Sequence, residues 1–156
     1  MKTSTRTQFL ELVTQFRLAT ESSRETLASE FQANTQKQAS NSKPVQPVLG
    51  FCMERAGSKE RAEGMFNFVL ARANTAYWPL PSVDVKLRNK IDVKNACFKH
   101  GIVPIKLTQH MIMLCGTNPH DVEGIREVFT AAAESQFPVF VLSEPDKIMQ
   151  ALTQFA

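Results

Sequence analysis

The sequence predicts an α+β protein, in which a helical N-terminal region is followed by a small three-stranded mixed sheet covered by helices. Two observations indicate this class. Apolar residues in the first half recur at helical spacing, whereas the second half holds three apolar runs of strand length, "IVPIKL", "HMIMLC" and "PVFVL". Helical patterns flank these runs and separate the second run from the third, so we expect the order α-β-β-α-β-α there. A chain of 156 residues, 43% of them hydrophobic, is long enough to bury such a core.

Two helix pairs are expected in the first half. Residues 6–17 carry an apolar face, and a second helix begins near Ser22, which forms a capping box with Glu25. The polar stretch 34–47 contains two prolines and little to bury, so it is predicted to be a flexible linker. A second helix pair follows within 48–78. The predicted domains are therefore a helix pair over 1–33, a linker over 34–47 and an α+β body over 48–156.

The helices of the second half have recognisable ends. Residues 91–100 form a predicted helix that stops at Gly101, because glycine readily takes the left-handed conformation of a helix end. Asp121 is expected to cap the helix that follows the second strand. Ser143 is expected to cap the last helix, which has Pro145 in its first turn, where proline is tolerated.

Composition excludes several classes of protein. The net charge of +3 is mild and no RNA-binding signature is present, so we expect no nucleic-acid partner. Three cysteines at irregular spacing do not form a disulfide framework. No apolar run approaches the roughly 18 residues that cross a bilayer, so no membrane insertion is expected. These features predict a cytoplasmic protein, held at the inner membrane, if at all, through a partner.

One segment raises the question of a metal. Cys97, His100, Cys115 and His120 have the pattern C-x2-H…C-x4-H, which is an alternative indication of a small zinc-stabilised module. Zinc needs all four side chains to converge, yet His100 adjoins a predicted helix end and His120 a predicted cap. We therefore favour buried cysteines that act as small apolar residues, and we expect no metal and no cofactor.

No catalytic motif is present. The chain has no G-x-x-x-x-G-K-[ST] phosphate-binding loop, and no Ser-His-Asp or Cys-His set can be assembled from it. We therefore expect a protein that is not an enzyme.

The two parts of the N-terminal region echo each other, since "FLELVTQFRLATESSRETLASEFQ" and "VLGFCMERAGSKERAEGMFNFVLAR" each contain a short helix, a tight turn and a longer helix. Downstream, "KIDVKNACFKHGIVPIKLTQHMIMLCGTNPHDVEGIREVF" and "FPVFVLSEPDKIMQAL" supply the closing strands and helices. In these features the chain resembles the N-terminal domain of the assembly ATPases of type II secretion and type IV pili, whose cyclic di-GMP-binding branch is called MshEN. The resemblance covers most of residues 9–155.

The resemblance implies a function in a bacterial secretion or pilus machine. In that family the domain docks the ATPase on a membrane platform protein, and here the motor domain itself is absent from the sequence. We therefore expect a non-catalytic adaptor or regulatory domain that docks an assembly ATPase, or acts in its place. The alternative is a cyclic di-GMP sensor. Leu49, Gly50 and Gly57 match the family's ligand-binding motif, but Val48 replaces its arginine and the first copy has no glycine.

The expected partner-binding face lies on the first helix pair. Two short helices cannot hide many apolar side chains by themselves, so this face must either fold back on the body or meet another protein. We predict the second outcome, for the apolar residues Phe9, Leu10, Leu12, Val13, Phe16, Leu27 and Phe31. A basic group between 86 and 99 is expected to be a solvated face, or a rim for an acidic protein partner.

Overall fold

The computed structural model describes all residues, 1–156, and confirms the predicted α+β class. The first four helices form a helical half, and the remaining helices and strands form an α/β half. The helical half contains α1 (Thr3–Gln15), α2 (Arg24–Ser40), α3 (Val48–Glu54) and α4 (Lys59–Ala73). The α/β half contains α5 (Ile91–His100), β1 (Val103–Leu107), β2 (Met111–Gly116), α6 (Val122–Ala132), β3 (Phe137–Leu142) and α7 (Pro145–Leu152).

The sheet has the order β1-β2-β3, with β2 in the centre. β1 and β2 pair antiparallel as neighbours in sequence, whereas β2 and β3 pair parallel and are joined through α6. Phe137 N–H donates to His110 O, on the side of β2. Successive backbone groups of a strand alternate in direction, so the next residue, Pro138, lies where no N–H toward β2 is needed. This explains how β3 tolerates a proline.

The predicted helix ends are only partly confirmed. Gly101 ends α5 with φ 63°, and the Asp121 side chain accepts from Gly124 N–H at the start of α6. The capping box at Ser22 is wrong, because the N-cap of α2 is Ser23, whose hydroxyl accepts from Thr20 N–H instead. Ser143 is not a cap either. Ser143 is buried, and the next residue in the chain, Glu144, occupies the N-cap position of α7.

The connection within each helix pair contains one residue with positive φ. After α1 the chain reverses through Arg17 with φ 53°, and after α3 it reverses through Gly57 with φ 88°. Both residues adopt the left-handed backbone conformation, but only Gly57 avoids the steric cost of a Cβ in this conformation. The echo seen in the sequence therefore includes a left-handed residue in each connection, although residues 16–23 form the first and the shorter stretch 55–58 forms the second.

The predicted linker over 34–47 is largely structured. α2 continues to Ser40, since no glycine or proline interrupts it before Pro44 and its polar side chains are compatible with an exposed helix. Beyond the helix, Val45 N–H donates to Phe98 O in α5. The ring of Pro47 lies against Gly101, where an added Cβ would meet it at 3.2 Å. This segment is packed against the α/β half, so the prediction of a free linker is wrong.

The two halves share an interface. Each has its own buried apolar cluster, and the end of β3 joins them, because Leu142 belongs to the helical cluster and Phe140 packs against both. α3 also lies close to α7, since a Cβ at Gly50 would stand 3.0 Å from Pro145 Cβ. The small residue at position 50 permits this approach.

No helix of the chain combines the length and the apolar character needed to cross a membrane.

Candidate functional site

A cleft of about 820 Å³ lies between the helical half and the α/β half. Two helix faces line it, and the residues of each recur at the three- and four-residue spacing of a single face. α2 contributes Gln32, Thr35, Gln36 and Ala39, and α5 contributes Ile91, Lys94, Asn95, Phe98 and Lys99. The volume is in the range that binding sites ordinarily occupy. We call this the α2–α5 cleft.

Basic side chains outnumber acidic ones along this cleft. Its lining includes Lys2, Lys43, Lys94 and Lys99, against Asp121 and Glu123. Lys94 Nζ donates to Ala156 O at 3.0 Å, and Lys99 Nζ lies 3.2 Å from an oxygen of Glu127 with both side chains exposed. Exposed pairs of this kind contribute at most about 1 kcal/mol. These lysines can therefore exchange their present partners for an acidic ligand.

The α2 wall offers neutral polar groups. The Gln32 and Gln36 amides can each donate and accept hydrogen bonds. Thr35 Oγ1 is buried and has no partner among the protein groups. A buried hydroxyl without a hydrogen bond costs free energy. The exposed Gln32 and Gln36 amides can hydrogen-bond to a ligand that brings polar groups, such as the backbone of a peptide.

A charged network closes one end of the cleft. Lys2 Nζ lies 2.7 Å from Asp121 Oδ2 and 2.8 Å from His100 Nδ1. The second ring nitrogen, His100 Nε2, lies 2.7 Å from Glu127 Oε2. An ammonium group only donates, so Nδ1 must accept, and the neutral ring carries its proton on Nε2 and donates it to Glu127. This hydrogen bond from His100 holds the pKa of Glu127 below its ordinary value.

His100 is unsuited to catalysis in this arrangement. Its side chain is 1% exposed, and both ring nitrogens are occupied by protein groups. Neither nitrogen is therefore available to a molecule in the cleft while these contacts are made. The geometry indicates that this histidine joins parts of the fold.

Further hydrogen bonds fix the first turns of α1 to the turn between β2 and α6. Ser4 Oγ donates to Asp121 Oδ1 at 3.3 Å, and Asn118 Nδ2 donates to Ser4 O at 3.2 Å. Gln8 is buried, and its amide donates to Thr117 O at 3.0 Å. Asp121 thus has two roles, since it caps α6 and also holds Lys2.

A second cleft, of about 470 Å³, lies between α1, α4 and the same turn. Lys2, Gln8 and Asn118 line both clefts. The start of α1 therefore forms a partition between them, and the network at His100 holds that partition in place.

The predicted partner-binding face is not available at the surface. Phe9, Leu12 and Val13 are 0% exposed and Phe31 is 4% exposed, while Leu10, Phe16 and Leu27 are half-buried. All seven pack in or against the cluster of the helical half, together with residues of α3 and α4. The face folds back on the body, and the prediction that it meets another protein is wrong, because burial in this core satisfies it.

The predicted nucleotide-binding residues have structural surroundings. Leu49 and Gly50 are buried within α3, whereas Gly57 is exposed in the turn that follows. None of the three lines either of the two clefts described above. Leu49 and Gly50 serve the packing of α3, and Gly57 serves the turn that follows it.

The alternative zinc site is not formed. No three His, Cys, Asp or Glu side chains of the chain are grouped so that they could hold a metal ion. Cys97 and Cys115 are buried free thiols, His100 is occupied as described, and His120 is exposed. Burial raises the pKa of the Cys97 thiol, and burial with the charge of Glu144 raises the pKa of Cys115 to about 12. Both cysteines are apolar core residues, as favoured from the sequence.

No protein-family model matches this chain, and no curated protein matches it.

Sequence reasoning missed the residues that shape the site. No local pattern marks Lys2, because its partners lie 98 and 119 positions away. The α5 face was visible in part, because Lys94 and Lys99 belong to the basic group between 86 and 99. The opposing α2 face lay partly inside the predicted linker.

Proposed function

We propose that this chain is a non-catalytic adaptor domain that docks an assembly ATPase, or acts in its place, on the membrane platform of a secretion or type IV pilus machine. The resemblance of its sequence to the N-terminal domains of those ATPases supports the choice of machine. The observation that carries the docking role is the α2–α5 cleft, an open groove between two helix faces in which lysines outnumber carboxylates.

The charge of the cleft favours an acidic, extended segment of the partner protein as its occupant. Asp121 is already paired with Lys2, whereas Lys43 lies on the lining without an ion pair. The contacts of Lys94 and Lys99 with their present partners contribute little free energy. Complementary charge steers such a segment into the groove, and the α2 amides then hydrogen-bond to its backbone.

Site-specific photocrosslinking tests this function. A benzoylphenylalanine in place of Gln36 places the probe in the cleft, and one in place of the exposed Gln109, on the β1–β2 turn, serves as the control. In cells that naturally produce the protein, we expect the Gln36 probe to capture an assembly ATPase or a platform protein through an acidic stretch, identified by mass spectrometry. The Gln109 probe should not capture that protein.

Charge reversal sharpens the same experiment. The double variant Lys43→Glu, Lys94→Glu should lower the yield of the crosslink at least about tenfold, because like charges across an interface are costly. The matched double variant Lys59→Glu, Lys106→Glu changes exposed lysines outside the cleft and should leave the yield unchanged. A captured protein that belongs to no such machine, or a yield insensitive to charge in the cleft, would refute the proposal.

A further inference from the structure

The contact between Lys2 and His100 depends on the protonation state of the imidazole. Nδ1 accepts a hydrogen bond from the Lys2 ammonium over 2.8 Å. A proton on Nδ1 turns the acceptor into a donor and places a second positive charge against the first. The His100 side chain is 1% exposed, so little water is present to screen the repulsion.

We propose that Lys2 and His100 form a pH-sensitive latch, which holds the start of α1 against the α/β half when His100 is neutral and releases it when His100 is protonated. The latch acts on the partition between the two clefts, because Lys2 lines both. It adds regulation to the cleft, but it does not depend on which molecule the cleft binds.

The charged groups around His100 decide which contact is lost. Glu127, from α6, lies at Nε2, and that nitrogen carries a proton in both states of the ring, so its hydrogen bond persists. Lys99 pairs with the same carboxylate. On the other side, Asp121 pairs with Lys2, whose ammonium lies against Nδ1. The protonated ring thus repels Lys2, and the contact with Lys2 is the one that is lost.

The released region is small. Gln8 remains bonded to Thr117 O, and Phe9 and Leu12 remain buried in the helical cluster. The amides that report opening are those of the first turn, beginning with Arg6 N–H, which donates to Lys2 O. The rest of α1 provides an internal reference that stays closed.

Amide hydrogen exchange across the range in which histidine titrates tests the latch. After correction for the intrinsic pH dependence of exchange, protection of residues 6–8 should fall at least about tenfold between about pH 8 and about pH 5.5, since a hydrogen bond to a charged group is commonly worth that factor. Protection of Leu12 and Val13 should not change. In His100→Gln, which cannot be protonated, the fall should disappear.

Two controls keep the result specific. His110→Gln and His120→Gln remove the other histidines, both exposed, and should retain the wild-type response. If His100→Gln does not fold, Lys2→Met supplies the second test. Without the ammonium the contact is absent at every pH, so the fall in protection of residues 6–8 should disappear. A flat wild-type profile, or a response that survives His100→Gln or Lys2→Met, would overturn the proposal.

Discussion

Phe9→Ala tests whether the first helix pair is part of the core or a detachable arm. Phe9 is 0% exposed and lies in the cluster shared by all four helices of the helical half. Removing a buried phenylalanine ring costs about 3–5 kcal/mol, from lost burial and from the cavity that remains. This is a large share of the roughly 5–15 kcal/mol by which domains are stable. With a urea dependence of about 2 kcal/mol per molar, the midpoint should fall by about 2 M.

Urea unfolding followed by circular dichroism measures this shift. Val122→Ala is the matched control, because Val122 is an apolar residue that is 60% exposed, and its loss should change stability by no more than about 0.5 kcal/mol. Equal effects of the two substitutions would show that α1 does not pack as described. Deletion of residues 1–33 removes five buried side chains from the same cluster, so we expect the remaining fragment to lose the fold of its helical half.

Two other predictions follow from the backbone and from the buried thiols. Arg17→Gly should raise the free energy of unfolding by about 0.5–1 kcal/mol, because the relief of left-handed strain exceeds the entropic cost of the added glycine. Gly57→Ala should lower the free energy of unfolding by about 1 kcal/mol. Urea midpoints that move in the opposite directions would contradict both expectations. Cys52, Cys97 and Cys115 should not react with Ellman's reagent at about pH 8 in the folded protein, yet all three should react in denaturant, because only the thiolate attacks. Burial raises the pKa of Cys52 and of Cys115 to about 12. Their contribution to the free energy of unfolding is therefore fully present below the ordinary thiol pKa of about 8.5, and it declines as the pH rises toward 12. Rapid labelling of the native protein would show that these thiols are accessible.

The elements of the α/β half were predictable because their signals are local. A helix that ends at a glycine, short apolar runs and an aspartate cap each depend on a few neighbouring residues, and α5, the three strands and the start of α6 are confirmed close to their predicted positions. The failed caps have a local cause as well. Two serines adjoin the start of α2, and the sequence does not decide between Ser22 and Ser23. At α7, the buried Ser143 lies one residue before the N-cap position, which Glu144 occupies.

The site was less predictable because its contacts are distant in sequence. Asp121 was identified as a cap from its neighbours, but its ion pair with Lys2 spans 119 positions and leaves no local pattern. His100 has a spacing from Cys97 that is typical of zinc ligands. Its partners in the fold are a lysine before α1 and a glutamate in α6, so the correct chemistry required the tertiary structure.

The polarity of residues 34–47 is explained by the cleft. The segment has few apolar side chains, and this absence of anything to bury led to the prediction of a linker. In the structure Thr35, Gln36, Lys43 and Gln46 line the α2–α5 cleft, while Val45 and Pro47 attach the segment to α5. A wall of a polar groove needs side chains that remain hydrated when the groove is empty and that form hydrogen bonds when it is filled. The same composition therefore suits a rigid binding surface as well as a flexible chain. Only the backbone hydrogen bonds of α2 and the contact of Val45 with Phe98 distinguish the two.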